Sequence, residues 1–224
     1  MRKTIVVEEQ APSLNQRNSR SNLPLCRFCY APLKQTFVDL GMSPLCESYL
    51  RADQVNRMEP FYPLNVKVCE RCYLVQLEEY VSPEHIFTEY AYFSSYSDSW
   101  LKHASNYVNM ICRRLALGGD SLCVELASND GYLLQYFVDK KIPVLGVEPA
   151  ANVAEAAEKK GVPTLVKFFG VDVARRMIAD GQAADLVIGN NVLAQVPDLN
   201  DFVAGIRILL KSGGVATLEF PHLE

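Results

Sequence analysis

Beyond residue 120 the chain alternates short apolar runs with segments whose apolar positions recur every three to four residues. The runs predict strands over 122–127, 144–147, 164–166, 186–189 and 215–220. The segments between them predict helices over about 131–140, 151–160, 171–180 and 200–211. Gly161, Gly181 and Gly213-Gly214 follow the last turns of three of these helices, where a glycine closes a helix without a Cβ penalty. Strand and helix taken in turn, with short connections, describe a parallel, doubly wound α/β sheet.

Upstream the pattern changes twice. Trp100, Leu101, Ala104, Tyr107, Val108, Ile111 and Leu115 recur at helical spacing, predicting a helix that begins near Asp98 and stops at Gly118-Gly119. Before it, residues 81–97 show no period and crowd His85, Phe87, Tyr90, Tyr92, Phe93 and Tyr96 among hydroxyl residues, so they read as an aromatic loop. Between 23 and 80 the chain predicts a small β lobe: a short strand over 37–41 ending in a turn, a period-two strand over 62–68, and a third run at Val75-Gln76-Leu77. Residues 8–22 are polar, and 1–22 are expected to form a disordered arm. No internal repeat or low-complexity tract is present.

Composition narrows the class. The 224 residues suffice for one full domain and a small one. A net charge of −4 argues against a nucleic-acid partner, which would call for a basic face. No apolar run approaches the roughly 20 residues of a membrane span. Glu8 and Glu9 end the Ile5-Val6-Val7 stretch too early for a signal peptide. No membrane partner is expected, and a cytoplasmic location fits.

The seven cysteines change the picture further. Four stand in matched pairs, Cys26-Arg27-Phe28-Cys29 and Cys69-Glu70-Arg71-Cys72. Two intervening residues let both thiolates of a pair turn toward one ion, and two pairs supply the four soft ligands that zinc prefers. The alternatives are two disulfides or inert thiols, and nothing else in the chain points to an oxidising compartment. A four-thiolate site leaves no open coordination position, so the zinc is expected to be structural. Residues 23–80 thus read as a zinc-binding domain, 81–118 as an aromatic loop and linking helix, and 119–224 as the α/β domain.

In an open parallel sheet, ligands bind beyond the carboxyl ends of the strands, near the switch in strand order. The loop there is Glu125-Leu126-Ala127-Ser128-Asn129-Asp130-Gly131, leaving a strand and opening a helix. The next strand ends in Val147-Glu148-Pro149, an acid placed where a ribose diol is gripped. Gly131 is the loop's one glycine, short of a dinucleotide fingerprint, and Glu125 and Asp130 would repel a pyrophosphate. They suit a cation, and S-adenosylmethionine carries a sulfonium and an ammonium without a phosphate. The ordinary alternative is a set of strand-end turns in a generic α/β domain. Asn190-Asn191 after the fourth strand offer amide groups to a ligand, or are turn residues. Phe169, next to Phe168, can flank an adenine ring or pack in the core.

Taken together, these residues resemble the sugar C-methyltransferases that act on nucleotide-linked deoxysugars. The resemblance runs over most of 23–224. It rests on the two cysteine pairs, Val38-Asp39-Leu40-Gly41 with Pro44-Leu45, and Tyr90-Ala91-Tyr92-Phe93-Ser94-Ser95-Tyr96-Ser97. Ser128-Asn129-Asp130-Gly131, Gly146-Val147-Glu148-Pro149 and Asn191-Val192-Leu193-Ala194 extend it. It implies an N-terminal zinc-binding β lobe followed by a Rossmann-like class I S-adenosylmethionine methyltransferase domain. It also implies that a carbon beside the keto group of a nucleotide-linked deoxysugar is methylated through an enolate, with Tyr90 at the family's functional tyrosine position. A purely packing role for Tyr90 is the alternative.

Two departures stand out. Gln195 occupies a place where the family would lead one to expect histidine. The family continues past the Glu219–Glu224 stretch into a segment with a glutamate and a histidine near the sugar, so the domain is expected to be incomplete and inactive alone, with its general base beyond Glu224. Other readings of the chain are a non-catalytic zinc-ribbon and Rossmann-like interaction module, or a methyltransferase of another small molecule. Oligomeric state is not legible.

Overall fold

A computed structural model describes residues 23–221 and 223. The arm expected over 1–22 lies outside the described residues, as do His222 and Glu224. The chain divides into two compact units. The described part of the first is 23–40 with 65–78, and the second comprises 41–64 with 79 onward.

A three-stranded sheet has the order β1 (Gln35–Pro44), β2 (Phe61–Val68), β3 (Val75–Gln76). β2 and β3 are antiparallel, with Lys67 opposite Gln76 and Val68 opposite Val75. β1 is longer than the strand expected over 37–41, because Gly41 takes a positive φ of 79° within it rather than ending it. The first unit's core is slight. Cys26, Leu33 and Cys69 are buried, with Cys29, Ala31, Cys72 and Leu74 packed around them. So few apolar residues cannot offset chain entropy without a staple.

The second unit carries the parallel sheet, in the order β6 (Thr164–Leu165), β5 (Val144–Val147), β4 (Cys123–Leu126), β7 (Ala184–Asn190), β8 (Leu210–Glu219). Every neighbouring pair is parallel. The helices are α1 (Pro83–Phe87), α2 (Asp98–Leu115), α3 (Gln135–Val138), α4 (Ala151–Lys159), α5 (Val171–Ala179) and α6 (Leu199–Leu209).

Strand alternation sorts the side chains onto two faces. Cys123, Leu186 and Ile188 pack with Ala104, Val108 and Ile111 of α2 and with Phe137 of α3. Val124, Leu126 and Val187 pack with Ala174 and Met177 of α5 and Phe202, Ile206 and Leu209 of α6. From β4 the chain turns to β5 on one side and later returns to β7 on the other. The crevice between the carboxyl ends of β4 and β7 is therefore the switch point where α/β sheets hold ligands.

Three local expectations shift. The aromatic loop contains α1, started by Pro83 at its first turn. α2 is capped by the Ser97 side chain, which accepts from the Trp100 N–H. It is closed by Ala116 in the left-handed region, φ 51°, two residues before Gly118. The helix expected over 131–140 shrinks to α3, because Gly131 has φ 74° and the chain first turns through 131–134. Among the described residues no helix is long and apolar enough to cross a membrane.

Candidate metal centre and donor-binding cavity

The two cysteine pairs fold as near copies of one another. In the first, the Cys26 N–H donates to the Ala31 carbonyl (2.8 Å) and the Tyr30 N–H to the Cys26 carbonyl (2.9 Å). In the second, Cys69 donates to Leu74 (3.0 Å) and Tyr73 to Cys69 (2.9 Å). Tyr30 and Tyr73, each just after its second cysteine, take left-handed φ of 59° and 63°. The four Sγ atoms lie within 4.8 Å of one another. The Cys26–Cys72 and Cys29–Cys69 separations are 3.6 and 3.5 Å.

A tetrahedral ion with Zn–S of about 2.3 Å sets its sulfurs roughly 3.8 Å apart, so this donor set fits zinc. All the described cysteines are free thiols, which removes the disulfide alternative. Gln76 Nε2 donates to Cys26 Sγ (3.2 Å) and the Arg71 N–H to Cys69 Sγ (3.4 Å), the outer-shell bonds that orient thiolate ligands.

In the second unit the loop after β4 takes a distinctive course. Ala127, Asn129 and Gly131 all have positive φ, 55°, 49° and 74°. Alternate left-handed residues are what a glycine-rich loop would supply, and two of the three places here are filled by alanine and asparagine. A Cβ on Gly131 would lie 3.1–3.3 Å from Val162 and Ala157, so the loop passes hard against α4 and the strand beyond it.

The loop's polar side chains face several ways. Glu125 is fully buried, and neither carboxylate oxygen has a hydrogen-bond partner. The Tyr132 hydroxyl interacts with it without closing a bond of ordinary geometry and accepts instead from Asn190 Nδ2 (3.2 Å). Burial, with little relief from Tyr132 and added repulsion from Glu148 and Asp130, holds the Glu125 carboxyl well above its usual range. Asn129 reaches the aromatic segment, accepting from the Ser94 N–H (2.9 Å) and donating to the Tyr92 carbonyl (3.1 Å). Asp130 accepts from the Ser95 N–H (3.3 Å) and pairs with Lys160 (3.0 Å), whose ammonium also donates to Ser95 Oγ. Glu148 accepts one backbone N–H on each oxygen, from Asn129 and Ala150, both at 2.9 Å. Its pKa is raised by burial, and those two bonds oppose the shift.

Above the switch point lies a cavity of about 560 Å³, within the range of about 300–1,000 Å³ usual for small-molecule sites. Of the residues expected at a cofactor site, Ala127, Asn129, Glu148, Pro149, Phe169, Asn190 and Asn191 line it, and Tyr90 does so too. Glu125, Ser128, Asp130 and Gly131 do not: they are buried behind the wall and shape the loop. Phe169 meets Phe202 edge-on, ring centres 5.5 Å apart at 82°. Gln195 also faces the cavity, at the position where histidine was expected. Glu47, Glu84, Glu148, Asp198 and Asp201 set carboxylates in the wall, against the single ammonium of Lys167 among the described lining residues.

That balance favours a cationic ligand, and Glu148 retains a lone pair on each oxygen for a diol. The residues present therefore fit S-adenosylmethionine. Tyr90 is half-buried among Phe87 and Tyr92, ring centres 5.5 and 6.4 Å away. Burial first, then Glu47, Cys46 and Glu148, push its hydroxyl to a pKa of about 12.

Comparison with known proteins agrees with this geometry. Residues 26–87 match a family described as "Putative zinc binding domain", and residues 124–216 one described as "Methyltransferase domain". The two matches place a zinc-binding domain ahead of a methyltransferase domain in this chain. It is 32% identical over 198 residues to the C-methyltransferase NovU of Streptomyces niveus, covering 88% of this chain and 47% of that protein. The chain thus spans about half the length of the curated relative it matches. Among solved structures, Streptomyces venezuelae DesVI is 18% identical over 56% of this chain and 52% of that one, with a TM-score of 0.45. An S-adenosylmethionine-dependent methyltransferase from Clostridium acetobutylicum is 20% identical over 53% and 49%, with a TM-score of 0.42.

Several contributors to the cavity escaped the sequence. Tyr132 and Trp100 line the cavity and stack on one another at 5.9 Å. Asn152 and Lys160 hold the aromatic segment from α4. Their roles depend on contacts 30 to 65 residues apart in sequence, which no local pattern announces.

Proposed function

We propose that the chain provides the zinc lobe and donor site of an S-adenosylmethionine-dependent C-methyltransferase whose acceptor is a nucleotide-linked keto-deoxysugar. The carrying observation is the 32% identity to a C-methyltransferase over 88% of the chain, supported by a zinc-binding-domain match that holds both cysteine pairs and a methyltransferase-domain match that holds most of the cavity wall. The donor, when bound, supplies a methyl carbon already activated by a sulfonium.

What remains for the protein is the nucleophile. A sugar carbon beside a ketone must lose a proton, and the ketone oxygen must accept the charge. Tyr90, with a pKa near 12, stays protonated through neutral pH and acts as the hydrogen-bond donor to that oxygen rather than as the base. With the donor bound, Glu148 would hold its ribose, Phe169 and Pro149 would border its base, and Asn190 and Asn191 would offer amide groups. The enolate carbon then bonds to the methyl as the carbon–sulfur bond breaks, and confinement in one cavity supplies much of the rate.

Zinc held by Cys26, Cys29, Cys69 and Cys72 is structural. Four thiolate ligands require a reducing compartment, so we place the chain in the cytoplasm. The test is intact-mass detection of a single added methylene on keto-sugar nucleotides, using the full-length gene product loaded with zinc. Calorimetry with S-adenosylhomocysteine on the same sample should show binding at one site. No heat and no mass gain would refute the proposal.

A further inference from the structure

α4 presents polar groups to the aromatic segment at both of its ends. At the carboxyl end Lys160 donates to Ser95 Oγ and pairs with Asp130. In the first turn, Asn152 accepts from the Tyr90 N–H through Oδ1 (3.0 Å) and donates through Nδ2 to the Tyr90 carbonyl (2.7 Å). A single side-chain amide thus closes on both polar groups of one backbone residue, as a neighbouring strand would. This bracket sits on Tyr90 itself, and Asn152 lies four residues after Glu148.

We propose that Asn152 is a positioning residue for methyl transfer: its amide fixes the Tyr90 backbone, and so the phenol, from the same turn of chain that sets Glu148 at the donor. This rests on the functional reading of Tyr90 given above. The two bonds leave the Tyr90 main chain neither rotation nor translation without losing one of them. The phenol's reach into the cavity is therefore decided by α4 rather than by the aromatic rings around it. Glu148 in turn accepts from the Ala150 N–H, immediately before α4, so the carboxylate and the clamp share one rigid support.

The experiment compares wild type with Asn152→Ala by hydrogen exchange, S-adenosylhomocysteine titration and methyl-transfer kinetics on the full-length protein. The amides of residues 90–93 should exchange at least about ten-fold faster in the variant, as befits loss of a bond to a partly buried backbone group. Donor affinity should move less than about three-fold, and kcat should fall by about ten-fold or more. In a Tyr90→Phe background the same substitution should cost less than about three-fold, because the two residues act as one unit.

Unchanged exchange at 90–93, or an equal kcat loss in both backgrounds, would overturn the proposal. If wild type neither binds donor nor transfers methyl, the functional reading fails, and the exchange result alone decides the clamp. Should Asn152→Ala not fold, Asn152→Asp keeps the acceptor and removes the donor, and serves in the same comparison.

Discussion

Replacing Glu125 by glutamine should stabilise the donor-free protein at neutral pH, with a gain that grows as pH rises. The carboxyl is fully buried, both oxygens lack partners, and its pKa in the folded state is raised well above the ordinary value. In the unfolded chain it titrates near 4.3. Below that pH both states hold the proton and the group contributes nothing to the pH dependence. Above it the unfolded chain ionises while the folded protein keeps its proton. Wild-type stability then falls as pH rises, until the folded pKa is reached.

Each pH unit inside that window is worth about 1 kcal/mol, an appreciable share of the ~5–15 kcal/mol that holds a domain together. Glutamine cannot ionise, so the variant lacks this slope. Near pH 4.3, where the folded acid and the amide are both neutral and the unfolded acid is no more than half ionised, the two proteins should agree within about 1 kcal/mol. The assay is urea denaturation of both proteins at half-unit steps from pH 4.5 to 7, without donor. Subtracting the curves cancels groups common to both. A difference that stays flat across that range would refute the reasoning, because it would mean that the buried carboxylate is paired or solvated after all.

Three further outcomes follow from named contacts. Cys69→Ser should release zinc and expose residues 23–40 and 65–78 to rapid hydrogen exchange while β4–β8 keep their protection; retained metal with a protected lobe would contradict the staple role. Gly146→Ala should cost about 1–3 kcal/mol in urea denaturation, because a Cβ there would collide with Ser128 Oγ and lie 3.1 Å from Thr164 Oγ1; Ser128→Ala in the same chain should recover most of the loss. Tyr73→Gly should raise the zinc lobe's unfolding free energy in urea by up to about 1 kcal/mol, since Tyr73 is 77% exposed and its φ is 63°, and a measured loss would count against that strain.

The sheet was legible because its signal is local. The first four strands of the second unit lie where an apolar run predicted them, within a few residues, and each amphipathic stretch from 151 onward became a helix. β8 differs: it starts at Leu210 and takes in Gly213-Gly214, which the pattern had set after the last helix. The metal centre was equally legible, since two residues between cysteines already fix the turn that brings both thiolates to one ion. What failed to show was decided by backbone conformation or by distant partners. Ala116 ends α2 in the left-handed region although Gly118-Gly119 offered a cheaper stop. The residues gathered around Tyr90 come from α4 and from the loop after β4, and their register to the aromatic segment has no sequence period.

The loop after β4 turns without the glycines that such turns usually carry. Glycine is read from sequence as permission for a left-handed turn, and its scarcity here argued only against a dinucleotide's pyrophosphate. The fold imposes positive φ at both Ala127 and Asn129. The cost of roughly 1–2 kcal/mol per residue is offset at Asn129 by three hydrogen bonds: its N–H to Glu148, and its side chain to Ser94 and Tyr92. Glycine would keep the N–H bond to Glu148 and lose the two made by the side chain. Asparagine at 129 therefore does two tasks at once: it turns the loop beneath the cavity, and it ties that turn to the segment that carries Tyr90. The departure from the glycine pattern marks the point where donor loop and aromatic segment are joined, and Asn129→Gly should loosen that joint even though it relieves the backbone.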